Sequence, residues 1–152
     1  MRISTVGVVA YLCASVQAWE VTAYDNTASC NADDNTRYRI IRGAPSLTGC
    51  MTFDQDMPGT GCREYRNGGA TNGGCTTGSL IPRSLFMESG RCVAFDQPGC
   101  VGQYEDGGGN WCTFFGRDDW GPVRSFWCSG SRRMTLAVGK DTVSSLHSRW
   151  GL

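Results

Sequence analysis

The chain has 152 residues, with 14 basic and 14 acidic side chains, 21 glycines and nine cysteines. A formal charge of zero gives no electrostatic reason to bind nucleic acid or anionic lipid, and no apolar run approaches the roughly 20 residues that crossing hydrocarbon takes. All the basic residues except Lys140 are arginine, whose planar forks suit carboxylate or phosphate recognition and stacking on aromatics.

Met1-Arg2, the mostly apolar run Ile3 to Ala14 and the small-residue pattern Val16-Gln17-Ala18 predict a signal peptide over residues 1–18, cut after Ala18. Cys13 leaves with it. Cys30, Cys50, Cys62, Cys75, Cys92, Cys100, Cys112 and Cys128 then meet an oxidising lumen, where thiols close into disulfides. Eight cysteines allow 105 pairings, so the pairing stays open at this point. Four bridges at about 2–4 kcal/mol each would supply rigidity that a chain poor in aliphatic residues cannot draw from its core. The expectation is a secreted, extracellular protein with no transmembrane segment, folding as a monomer.

In chain order, short β-branched or aromatic runs bounded by Gly, Asn, Asp or Pro predict strands at Trp19 to Tyr24, Arg37 to Arg42, Cys50 to Phe53, Arg63 to Arg66, Arg91 to Phe95, Gly102 to Glu105, Trp111 to Phe115 and Val123 to Cys128. The glycine-dense stretches Asn67 to Gly74 and Asp106 to Asn110 read as turns, where positive φ is needed. Neither follows a strand into a helix, as a phosphate-binding loop would. The last strand is expected to start at Pro122. Gly130 to Leu152 lacks cysteine and contains Arg132-Arg133. This predicts a disulfide-bonded β domain over 19–130, with related halves at about 19–75 and 90–128, and a weakly structured, flexible tail over 131–152.

The two halves echo each other. Cys50-Met51-Thr52-Phe53-Asp54-Gln55 returns as Cys92-Val93-Ala94-Phe95-Asp96-Gln97, and Val21 to Asn26 is a weaker third copy. The shared Phe-Asp-Gln reads as a strand ending in a side-chain-capped turn.

Catalytic groups are scarce. His147 is the only histidine and lies in the tail, which removes most triad hydrolases and zinc sites. Asp33-Asp34, Glu105-Asp106 and Asp118-Asp119 are adjacent carboxylates, and neighbours on a strand point to opposite faces instead of flanking a sugar. Asn31 to Thr36 is rich in oxygen ligands but lacks the spacing of an EF-hand loop. No enzyme activity, metal or cofactor is expected. Trp111, Phe114, Phe115, Trp120, Phe126 and Trp127 crowd the second half and read mainly as core; if several faced water they would form a carbohydrate-binding platform.

Phe95, Gly102 and Ser125 occupy the places of the aromatic, the folded-hairpin glycine and the fourth-strand serine of a βγ-crystallin Greek key, and the second half resembles that motif. The resemblance implies an all-β, disulfide-stapled Greek-key sandwich. Its calcium-site positions read Trp120-Gly121 and Arg124-Ser125, so only the final serine is kept and calcium is not expected. Trp19-Glu20-Val21-Thr22-Ala23-Tyr24, Asp33 to Arg39 and the Cys-x-x-Phe-Asp-Gln units also resemble small secreted cysteine-rich proteins of filamentous fungi. That resemblance implies an effector that contributes to virulence by binding a host protein or cell-wall polysaccharide, and the exposed loops around Asn67 to Thr77 and Asp106 to Asn110 are the surface expected to do so. An antimicrobial or killer-toxin-like protein and a carbohydrate-binding module are the alternatives.

Overall fold

The computed structural model describes residues 18–27, 29–78, 80–114 and 121–130. Most of the expected signal peptide, the tail with Arg132-Arg133 and His147, and Phe115, Asp118, Asp119 and Trp120 lie outside the described residues.

Among the described residues ten strands form two antiparallel sheets. They are β1 (Trp19–Tyr24), β2 (Tyr38–Gly43), β3 (Met51–Thr52), β4 (Thr60–Arg66), β5 (Thr71–Gly74), β6 (Ser84–Ser89), β7 (Arg91–Phe95), β8 (Tyr104–Gly108), β9 (Trp111–Phe114) and β10 (Ser125–Ser129). The larger sheet runs β5-β4-β2-β1-β6-β9 and the smaller β3-β10-β7-β8. Alternation sets the faces: Trp19, Val21 and Ala23 of β1, Ile41 of β2, and Leu85 and Met87 of β6 point inward and are buried. Phe53, Val123 and Phe126 are buried with them in one apolar cluster. The fold class is the all-β, disulfide-linked sandwich that the sequence implies.

Trp19 is the largest fully buried side chain. Its indole N–H donates to the Leu47 carbonyl at 2.9 Å, and its ring meets Phe126 edge-on at 5.9 Å. Room for it comes from its cross-strand partner Gly43, where a Cβ would fall 2.0 Å from the ring.

The sequence echo has a geometric meaning. The Cys50 and Cys92 units lie on either side of β10, where Ser125 is in register with both Thr52 and Phe95. In the smaller sheet β10 lies beside β7 and β8 beyond it, while β9 belongs to the larger sheet. The crystallin-like residues act together: the Ser125 hydroxyl accepts from the Cys100 N–H at 2.8 Å and donates to the Gln97 carbonyl at 2.5 Å, pinning the β7–β8 hairpin. Asp96 caps that hairpin by accepting from the Gln103 N–H at 2.9 Å, packed against Gly102, which has φ +91. Its counterpart Asp54 does something else, pairing with Arg124 at 3.0 Å.

The cysteines pair as Cys30–Cys112, Cys50–Cys100, Cys62–Cys75 and Cys92–Cys128. The first ties the β1–β2 connection to edge strand β9, and the second ties β3 to the β7–β8 hairpin. The third closes β5 onto β4, and the fourth joins register partners on β7 and β10.

Three expectations need correction. Asn67 to Gly74 is not one turn: Asn67–Gly69 forms a 3-10 turn, and Thr71–Gly74 is strand β5 in register with β4. Asp106 to Gly108 likewise belongs to β8, paired with β7. The last strand starts at Ser125, because the Val123 and Arg124 amides donate to the Pro82 and Phe95 carbonyls before the ladder begins. Strand β6 has no counterpart among the strands read from sequence.

Candidate binding site

Strands β2 and β4 place Arg39 directly opposite Glu64, on the face that also carries buried Ile41. Glu64 is 2% exposed and Arg39 3%. Arg39 Nε donates to Glu64 Oε2 at 2.9 Å, Arg37 Nη2 donates to Oε1 at 3.2 Å, and Arg66 donates to Oε1 through Nε and Nη2, both at 3.1 Å. Arg39 also donates to the Thr76 carbonyl at 2.5 Å. Three guanidinium groups therefore converge on one buried carboxylate among the described residues. Removing such charges from water costs several kcal/mol each, and only dense hydrogen bonding of this kind offsets that cost.

Two grooves flank the cluster. One, of about 270 Å³, is lined by Glu64, Arg66, Thr71, Asn72, Gly73 and Gly74. The other, of about 440 Å³, is lined by Arg39, Asp56, Met57, Thr60, Thr76 and the Cys62–Cys75 bridge, among others. Glu64 walls the first and Arg39 the second, so the ion pair separates them. Thr71 to Gly74 are all exposed, and β5 is an edge of its sheet.

The opposite face of the same strands carries a tyrosine ladder. Tyr24, Tyr38 and Tyr65 are register partners on β1, β2 and β4. Their rings lie 5.6 and 4.7 Å apart, the second pair parallel within 7°. Burial pushes the Tyr24 phenol up. Such cross-strand aromatic pairs contribute about 0.5–1.5 kcal/mol each and stiffen the strands that hold Arg39 and Glu64. The three tyrosines sit at one end of their strands, a pattern that the sequence contains but that only the register reveals.

Of the two candidate stretches, Asn67 to Thr77 supplies β5 and the walls of both grooves, whereas Asp106 to Asn110 lies on the edge strand of the other sheet. The structure does not bring them together. The exposed Trp111 ring packs over Gly107, where a Cβ would fall 2.2 Å from it. Phe126 is core as expected, whereas Trp111 and Phe114 are exposed and correct the reading of them as core. The oxygen-rich loop is spent on its own turn: Asp33 Oδ1 accepts from the Asn35 N–H at 2.9 Å and the Thr36 hydroxyl at 2.7 Å, bonds that hold its carboxyl below the usual range. Glu105 and Asp106 point to opposite faces, contacting Thr113 and Arg91 respectively. Among the described residues no group of three or more His, Cys, Asp or Glu is placed to hold a metal, and no helix is long and apolar enough to cross a membrane.

Residues 19–128 match the family described as "Secreted LysM effector LysM14, C-terminal domain". The chain belongs to that family. It is a secreted, cysteine-rich, effector-type protein, and its matched segment spans every described strand except the last residue of β10. Neither the curated proteins nor the solved structures give a match.

Proposed function

We propose that this secreted effector contributes to virulence by binding a host protein or a component of the host cell wall through its β4–β5 edge, so modulating plant defence. We further propose that it acts by binding alone, without a catalytic step. The observation that carries this reading is the Glu64 cluster between two grooves at an exposed sheet edge, stapled by Cys62–Cys75. Arginine forks at a groove rim suit recognition of carboxylates and other planar acceptors, and a bridged sandwich holds them in place against extracellular proteases. Expression of the mature chain in a plant, with and without a signal peptide, tests the reading. Altered defence responses are expected with the secreted form, and their loss is expected with Arg66→Glu. No response from either form, together with unchanged colonisation after gene deletion, would remove it.

A further inference from the structure

We propose that β5 accepts an extended acidic peptide segment as an additional strand, with a carboxylate crossing over Gly73 to meet Arg66. This rests on the reading of the β4–β5 edge as the binding site and names the chemistry of its ligand.

Strand β5 carries two adjacent glycines, Gly73 and Gly74, at positions with room for a side chain. Gly73 and Gly74 weaken a strand, because glycine loses most conformational freedom on ordering and offers no side chain to pack. Some glycines of this chain have reasons to be there, as Gly43 clears Trp19 and Gly102 and Gly69 carry φ of +91 and +103, while Gly61 of β4, like Gly73 and Gly74, has open space and no positive φ. Gly73 and Gly74 have neither reason. Their φ values are not in the left-handed region, and a Cβ built on either meets nothing within 4 Å. Both line the 270 Å³ groove, and the missing side chain of Gly73, on the face of Glu64, leaves its floor open.

Register gives the groove a direction. Thr71 pairs with Arg66 and Gly73 with Glu64, so these four positions share one face. A strand added beyond β5 would lie two interstrand spacings from β4, about 9–10 Å. A Glu or Asp side chain from it and the Arg66 side chain from β4 could meet over Gly73, where no side chain intervenes. Arg66 is suited to this, being 56% exposed with only Nε and one terminal nitrogen on Glu64. Glu64 holds the fork in orientation from beneath. The edge itself bears none of the usual guards against strand addition: Thr71-Asn72-Gly73-Gly74 has no charge, proline or bulge. Backbone groups would supply affinity and alternate side chains specificity. Peptide is favoured over acidic polysaccharide because the sheet edge offers a ladder of amides and carbonyls that a uronate chain cannot satisfy in register.

The test uses the secreted mature protein, 15N-labelled, and a ten-residue peptide alternating Glu with Thr. Binding is expected to shift the amide resonances of Thr71 to Gly74. Affinity should fall roughly tenfold or more in Arg66→Glu, and similarly in Gly73→Glu, which fills the lane with like charge at a site where a side chain has room. A peptide of the same charge with proline at alternate positions should not bind. Equal binding of the proline peptide, equal or tighter binding of oligogalacturonate, or β5 shifts caused by self-association without peptide would each overturn the proposal. Loss of defence modulation in Arg66→Glu without any peptide binding would overturn this inference while leaving the binding-site reading standing.

Discussion

Removing Cys30–Cys112 by paired alanine substitution offers a quantitative test of how the disulfides act. The bridge spans 82 residues and Cys62–Cys75 spans 13. Neither pair belongs to the fully buried core, unlike Cys92 and Cys128, so the comparison is dominated by chain entropy. On the loop-closure relation the isolated bridges contribute about 4.5 and about 2.9 kcal/mol. Cys50–Cys100, spanning 50 residues inside the longer loop, changes the first figure. With it in place, the twenty residues from Cys30 to Cys50 and the twelve from Cys100 to Cys112 leave an effective loop of about 32, and the contribution drops to about 3.7 kcal/mol. Equilibrium urea unfolding should therefore show losses of about 3.7 and about 2.9 kcal/mol for the two pairs. Without Cys50–Cys100, the bridges Cys62–Cys75 and Cys92–Cys128 leave an effective loop of about 65 residues, so the loss from removing Cys30–Cys112 should rise by about 0.6 kcal/mol. A larger loss from the short loop, or a coupling of opposite sign, would refute the entropic reasoning.

Gly43→Ala forces a methyl into the Trp19 ring and should cost about 1–3 kcal/mol or more by the same unfolding assay, with a red-shifted Trp emission. Glu64→Gln removes the carboxylate that anchors three arginines, one of them 3% exposed, and should cost about 3–5 kcal/mol; a loss below 1 kcal/mol, as for exposed pairs, would show the cluster to be solvated. At the exposed end of β1, the hydrogen bond from Arg42 holds the Glu20 carboxyl below its ordinary value of 4.5, while its bond to Glu20 pushes Glu88 up. A lowered carboxylate stabilises the fold above its unfolded pKa and loses that contribution as pH falls through the folded one. The stability gap between the native protein and Glu20→Gln should therefore be present at pH 7 and close below about 4.5. Glu88→Gln should show the opposite sign, gaining stability at pH 7 and losing that gain in acid.

The strands that sequence reveals are those with β-branched or aromatic residues on a period of two. Trp19 to Tyr24 and Arg91 to Phe95 agree with β1 and β7 to the residue. Ser84–Ser89 is hard to read because Ser-Leu-Phe-Met-Glu-Ser has no β-branched residue and only one aromatic, Phe86. It is a strand because β1 and β9 pair with it from both sides and Leu85 and Met87 fill the core, a tertiary effect that local propensity does not contain. Thr71–Gly74 reads as a turn for the same reason in reverse: its glycines suit a turn, and its strand geometry comes from pairing with β4 and the Cys62–Cys75 closure. The stretch Asn67 to Thr77 was visible as a surface, whereas its chemistry was not, since Arg39 and Glu64 are 25 residues apart and meet only through the β2–β4 register. The tyrosine ladder was hidden likewise.

Peptide mapping of the secreted, non-reduced protein, combined with its intact mass, tests the covalently closed scaffold on which the site depends. The expected result is a chain beginning at Trp19, no alkylatable thiol, and the four pairs Cys30–Cys112, Cys50–Cys100, Cys62–Cys75 and Cys92–Cys128. Free thiols in the native product, or a different partner for Cys62 or Cys75, would contradict it.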